Sequence, residues 1–228
     1  MNRNAEVFDQ RFREAGELDY GSVEGTPGRR DRQIIRALTE FGIPGRRCLD
    51  IGPGTGRWLH FLKEHGAAEL AAVDLSREAL VRAARLGAVC QEVDLENQSL
   101  GWDTDHVDIT TAFMVLEHLK SPDNLIREVA RVTRPDGLIL MSIPNIASFA
   151  SRLRLMCGRL PQAVSSDETH VRFYTHRELK KLFRDHGLRA SIIPTSFSLN
   201  PFNTKSFRLP TWGRLSSLDD HILFRVSA

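Results

Sequence analysis

The sequence predicts an α/β protein: a doubly wound sheet of seven strands, mostly parallel with the last strand antiparallel, and a cap inserted after the fifth strand. Three observations predict it. Short apolar runs rich in β-formers recur as RRCLDI, ELAAVD, AVCQEV, VDITTAF and LILMSI. Helical patterns alternate with these runs, an order that needs crossovers and therefore parallel strands with helices on both faces. ASIIPTSF and DHILFRV close the chain with no helical pattern between them, so the final strand is expected to enter antiparallel.

Each element has a local cause. Thr26-Pro27 has the form of an N-cap and first-turn proline; Ile34, Ile35, Leu38 and Phe41 then recur at helical spacing until Gly42. A helix over 56–65 follows the first strand. Another over 76–86 is opened by Ser76 and closed by Gly87, and a third over 122–132 is capped by Ser121. Thr175 and Glu178 have capping-box spacing ahead of Leu179, Leu182 and Phe183, and Gly187 ends that helix. Residues 144–175, with the patch IASFASRLRLMCGRLP, and 198–218 break the rhythm; long connections of this kind are usually functional or disordered. The expected organisation is one domain over 1–228: a helical lead-in to 44, a cofactor-binding core over 45–143, and substrate-cap elements at 144–175 and 198–218.

The bulk numbers narrow the classes. The 228 residues are 26% charged and 41% hydrophobic, with no apolar run long enough to cross a membrane and no apolar centre of a secretory signal near the start. A cytoplasmic protein is expected. The balance of 31 basic and 29 acidic residues, +2, gives no basic footprint for nucleic acid. Three cysteines lack metal or redox spacing, and Cys48 and Cys90 fall within strands, as reduced buried thiols would.

CLDIGPGTGRW, residues 48–58, places three glycines where a strand turns into a helix, so its amides face the carboxyl edge of the sheet. The spacing lacks the Lys and Ser/Thr of a phosphate loop, and Arg57 stands where a dinucleotide fingerprint needs its third glycine. The remaining pattern, DxGxGxG from Asp50 to Gly56, resembles that of the class I S-adenosylmethionine-dependent methyltransferases, whose fold is Rossmann-like. VDITTAFMVLEHLKSPDNLIREVARVTRPDGLILMSIPN is similar to the later part of that family, as fourth strand, LEHL turn, helix, RPDG turn, fifth strand and terminal PN, and the likeness spans about residues 45–190. It departs at Val107, where an aromatic is usual. The resemblance implies S-adenosylmethionine as cofactor: Asp50, Gly52, Gly54 and Gly56 at its methionine part, Asp74 with Leu75 at the ribose, Asp94 with Leu95 at the adenine, and Phe113 beside it. Taken alone, the glycines are equally readable as a tight turn.

Methyl transfer to a hydroxyl needs a group that removes its proton near neutral pH. His118, after Glu117 in the LEHL turn, and His170, in DETHVRFYT, are the candidate catalytic residues; a turn-orienting role for His118 and a surface position for His170 stand beside that reading. The small-RNA 2′-O-methyltransferases of the superfamily use Glu-x-x-Glu-His with a distant histidine as metal ligands. Met114 removes one carboxylate here, and a thioether is a poor ligand for a hard cation, so no metal is expected. The expected acceptor is a small molecule. Arg152, Arg154, Arg159 and Arg172 in the first cap, and Arg189, Lys205, Arg208 and Arg214 further on, suggest an anionic one unless they are merely solvated. FASRLRLMCGRL reads as a lid, in preference to a basic amphipathic helix on an anionic membrane surface, and Tyr20 and Trp212 as pocket walls or packing. O-methylation is the leading reading, against N-methylation, a cofactor-binding module without turnover, or a nicotinamide oxidoreductase. A homodimer is left open.

Overall fold

A computed structural model of the chain describes residues 6–10, 28–165, 167–198, 208–210, 217 and 219–227. Strand β1 (Arg47–Ile51) is buried along its last four residues, as a strand covered by helices on both faces must be. β2 (Glu69–Asp74), β3 (Val89–Glu92), β4 (Val107–Phe113) and β5 (Thr133–Pro144) join it in parallel. β6 (Arg189–Ile193) and β9 (His221–Ser227) complete a seven-stranded sheet in the order β3-β2-β1-β4-β5-β9-β6, with β9 antiparallel to both neighbours. A separate ribbon pairs β7 (Ser196–Ser198) with β8 (Arg208–Pro210).

Strand alternation divides the core into two layers. Leu49, Ile51, Ala71, Val73, Met141 and Ile143 face α4 (Asp123–Val132) and α7 (His176–Asp185). Cys48, Leu70, Ala72, Leu138 and Leu140 face α1 (Arg29–Phe41), α2 (Arg57–Glu64) and α3 (Arg77–Arg85). The strand order reverses between β1 and β4, which opens a crevice at their carboxyl ends. A 3₁₀ turn (Leu116–His118) follows β4, and α5 (Phe149–Met156) and α6 (Gln162–Ser165) follow β5.

The capping box forms as its spacing predicts, with the Thr175 hydroxyl accepting from the Glu178 amide and the Glu178 carboxylate from the Thr175 amide. Ser121 does not cap α4. Pro122 occupies the cap position in a helical conformation, and the Ser121 hydroxyl donates to the Asp123 carboxylate instead, 3.0 Å away. The RPDG segment is not a turn before β5 but an outward excursion within it. Thr133 pairs with Val107 and Leu138 with Ile109, and a Cβ on Gly137 would lie 2.8 Å from the Asp108 carbonyl oxygen. α1 starts at Arg29 behind Gly28; Thr26 and Pro27 lie outside the described residues, as do Tyr20, Lys205, Trp212, Arg214 and most of the 198–218 cap. Among the described residues no helix is long and apolar enough to cross a membrane. The three cysteines are unpaired; Cys48 is buried and Cys90 half-buried, but Cys157 is exposed.

Candidate active site

Backbone geometry explains the glycines. Gly52 has φ +66°, its amide donates to the Val73 carbonyl at 2.8 Å, and a Cβ there would sit 2.7 Å from Val115 Cγ2. Gly56 is the left-handed residue that launches α2. Seven of the nine residues expected at the cofactor line one cavity of about 330 Å³: Gly52, Gly54, Asp74, Leu75, Asp94, Leu95 and Phe113. Asp50 and Gly56 stand outside that lining. Asp50 is buried behind the loop, where its carboxylate accepts the Thr111 hydroxyl at 2.6 Å. Burial pushes its pKa up to about 7; the Thr111 bond opposes that rise and the Asp74 charge adds to it.

Asp74 ends β2 and accepts the Ser76 amide at 2.8 Å. Burial raises its pKa to about 6, against the pull of the Ser76 and Leu75 amides and with a push from Asp9. Asp9 comes from a helical segment at 6–10 and accepts the Ser76 hydroxyl at 2.6 Å, which brings Phe8 into the cavity wall. Asp94 accepts the Glu96 amide at 3.0 Å and the Asn97 side chain at 2.9 Å. The cavity lining holds the acids Asp74, Asp94, Glu96 and Asp167 and, among the described residues, no arginine or lysine. Arg57 turns instead to Asp31 of α1, at 2.7 Å.

The two histidines meet in the same wall, with ring centroids 4.9 Å apart. The Thr169 hydroxyl donates to Asp167 at 2.5 Å and is left to accept from His118 Nδ1 at 3.0 Å; the Thr169 carbonyl, also near Nδ1, can only accept. His118 is therefore held as the Nδ1–H tautomer with its lone pair on Nε2. The Ala163 carbonyl, 2.7 Å from His170 Nδ1, imposes the same tautomer on His170. Phe8 packs edge-on to His118 at 5.1 Å. Met114, at the end of β4, takes φ +62°, a strained conformation for a side chain of this size. Behind the pair lies Glu117, 1% exposed, whose two carboxyl oxygens have no hydrogen-bond partner among the described residues. Burial pushes its pKa up to about 8.

The methyltransferase domain family matches residues 28–191. The chain belongs to that family. Its fold and membership are those of the class I S-adenosylmethionine-dependent methyltransferases, and S-adenosylmethionine is their methyl donor. The ubiquinone biosynthesis O-methyltransferase of Aeromonas salmonicida is 28% identical over 155 residues, 64% of each chain. That of Coxiella burnetii is 32% identical over 161 residues, 66% of each. The chain spans less than two thirds of these relatives' own length. A solved S-adenosylmethionine-dependent methyltransferase from Mesorhizobium loti superposes with a TM-score of 0.63 at 18% identity, covering 91% of this chain and all of that one, a likeness of fold.

Within this methyltransferase fold, sequence reasoning missed Phe8, Glu96 and Asp167 as cavity residues and Thr169 as the partner of His118, and read Met114 only as a lost metal ligand. The Asp167-x-Thr169 spacing was the available signal, because an Asp side chain commonly binds the amide two residues on, as it does here at 3.0 Å. No comparable signal marks Phe8 or the backbone strain at Met114. Arg152 and Arg154 are tied to the carbonyls of Ala147 and Leu160, and neither they nor Arg159 nor Arg172 lines the cavity.

Proposed function

We propose that the protein transfers the methyl group of S-adenosylmethionine to a hydroxyl of a small-molecule acceptor, with His118 and His170 handling the acceptor's proton. The observation that carries this reading is the pair of imidazoles, both held with the lone pair on Nε2, in the wall of the cavity that the glycine loop enters. The cavity fits the cofactor. Gly52 and Gly54 leave part of its wall without side chains, its size falls at the low end of the roughly 300–1,000 Å³ usual for small-molecule sites, and its acids suit a cationic ligand without phosphate. Gly52 and Gly54 would admit the methionine part to close approach, Asp74 would accept both ribose hydroxyls, and Asp94 with Leu95 would flank the base. When bound, S-adenosylmethionine supplies a methyl carbon activated by a positive sulfur.

The chain's own part is alignment, proton removal and exclusion of water. Nε2 of one histidine takes the hydroxyl proton as the acceptor oxygen becomes the nucleophile, while Asp167 and Thr169 hold the His118 ring. Phe8, Phe113, Val115 and Leu119 supply the apolar wall. The relatives' name, O-methyltransferase, agrees with a hydroxyl acceptor. An anionic acceptor finds no support in the cavity, where the fixed charges are acidic.

The test is labelled-methyl transfer from S-adenosylmethionine to panels of hydroxyl and amine acceptors. His118→Ala or His170→Ala should lower kcat by about 10²- to 10⁴-fold on the hydroxyl acceptor while leaving cofactor affinity intact. A rate that follows deprotonation of an amine acceptor and ignores both substitutions would establish N-methylation instead. Cofactor binding without product across the panel would establish a module without turnover.

A second reading rests on a specific observation. Ligand-capable atoms of Glu117, His118 and His170 all lie within 4.8 Å of one another, and one carboxylate with two imidazoles is a donor set for a divalent transition metal. The Met114 argument removes one ligand but not these three. Loss of activity on EDTA treatment, restored by manganese or another divalent transition metal, would select this reading; full activity in EDTA would discard it.

A further inference from the structure

Seven large apolar side chains are exposed among the described residues, and five of them fall on the cap after β5: Leu155 (55%), Met156 (83%), Leu160 (59%), Val171 (39%) and Phe173 (39%). The grouping follows from how α5 sits. Ser148 caps the helix and Ser151 is buried in its first turn, while Leu155 and Met156 stand in its last turn and Arg159 and Leu160 follow the Cys157 C-cap, so the exposed residues gather at the C-terminal tip of the helix. The six residues 155–160, LMCGRL, are all exposed. Arg154 folds back to the Leu160 carbonyl at 2.8 Å, which fixes this knuckle in shape. His170 ties the adjoining loop to α6 through the Ala163 carbonyl, so Val171 and Phe173 belong to the same cap. Residues 146–165 contain three arginines and no acidic residue.

We propose that this knuckle is a docking surface for an anionic membrane, with Leu155, Met156 and Leu160 entering the headgroup region and Arg152 and Arg159 meeting lipid phosphates. Charge complementarity selects that occupant. A self-association face of arginines with no acid would repel its copy, whereas exposed apolar tips interspersed with arginine over 146–165, ahead of the first acids at Asp167 and Glu168, suit the headgroup boundary of an anionic bilayer. Exposure at this level also leaves the tips available without any rearrangement of the sheet. The inference stands apart from the methyl-transfer reading, since none of these residues lines the cavity.

The test is flotation of the full chain with vesicles of phosphatidylcholine alone and of phosphatidylcholine mixed with phosphatidylglycerol. Binding is expected only to the mixed vesicles, weakened several-fold by salt at about 0.5 M. L155S/M156S should reduce the bound fraction by about tenfold while calorimetric affinity for S-adenosylhomocysteine is unchanged. R152S/R159S should give a similar loss and serves if the first variant does not fold. Absence of the chain from the mixed vesicles overturns the proposal, as does binding that neither variant alters. A concentration-dependent dimer lost in L155S/M156S, without vesicle binding, also overturns it and assigns the surface to a second copy.

Discussion

Asp74→Asn isolates the charge that the proposed cofactor site depends on. The asparagine oxygen can still accept the Ser76 amide that Asp74 accepts at 2.8 Å, so the turn into α3 should survive. What changes is the other acceptor capacity, which loses its charge. Hydrogen bonds to a charged group contribute about 1.5–3 kcal/mol and neutral ones about 0.5–1.5, so two ribose hydroxyls should lose roughly 2–3 kcal/mol together, a 30- to 150-fold weaker Kd. A second signature comes from the raised pKa. With Asp74 titrating at about 6, only about a tenth of it is ionised near pH 5, and affinity for S-adenosylhomocysteine should fall about tenfold from its value near pH 7.5. An asparagine cannot titrate, so that loss should vanish in the variant. Asp50 also titrates near neutrality but is common to both proteins, and only the difference between their profiles belongs to position 74. Isothermal calorimetry across that pH range measures both quantities. A variant within twofold of the parent at neutral pH, with the same pH profile, would refute the assignment of the diol to this carboxylate.

Gly52→Ala meets both a left-handed backbone and the Val115 methyl 2.7 Å away. A cost of about 2–4 kcal/mol is expected, a fall in Tm of about 5–15 °C by calorimetry. Asp50 holds its proton more tightly folded than unfolded, so its contribution is full below the unfolded pKa near 4 and is lost as pH rises through about 7. Urea unfolding should show up to roughly 4 kcal/mol of stability lost over that window, a slope that Asp50→Asn removes. Asp108 is the opposite case: Arg134 at 2.8 Å and the Arg47 amide at 2.8 Å hold its carboxyl below the ordinary range even though burial opposes them. Its stabilisation is present above the unfolded pKa and lost as pH falls through the folded one. Asp108→Asn should therefore cost about 1–3 kcal/mol at neutral pH, reduced by the exposure of the arginines, and the gap to the parent should close in acid.

What the sequence revealed and what it hid divide along the distance over which each feature is determined. ELAAVD and VDITTAF coincide with β2 and β4 because burial of a parallel strand is written into consecutive residues. The glycine loop was legible for the same reason, since a left-handed φ and a methyl-sized gap are demands on single positions, and so was the Thr175 capping box. RPDG misled because its role is set by Thr133 pairing with Val107, a contact that no local pattern records. The histidines were nameable, but their pairing was not: His118 and His170 meet only because the cap returns over the LEHL turn, where the Glu117 carbonyl accepts the Val171 and Arg172 amides at 2.9 and 3.0 Å. That return also buries Glu117. An acid in a turn after a strand reads as solvated, and only the closed cap makes it a carboxyl without a partner among the described residues beside two imidazoles. The same tie holds the His170 loop over the cavity, so weakening it should loosen the Asp167–Thr169–His118 chain, although Tyr174 anchors the far end of the cap in the sheet's core.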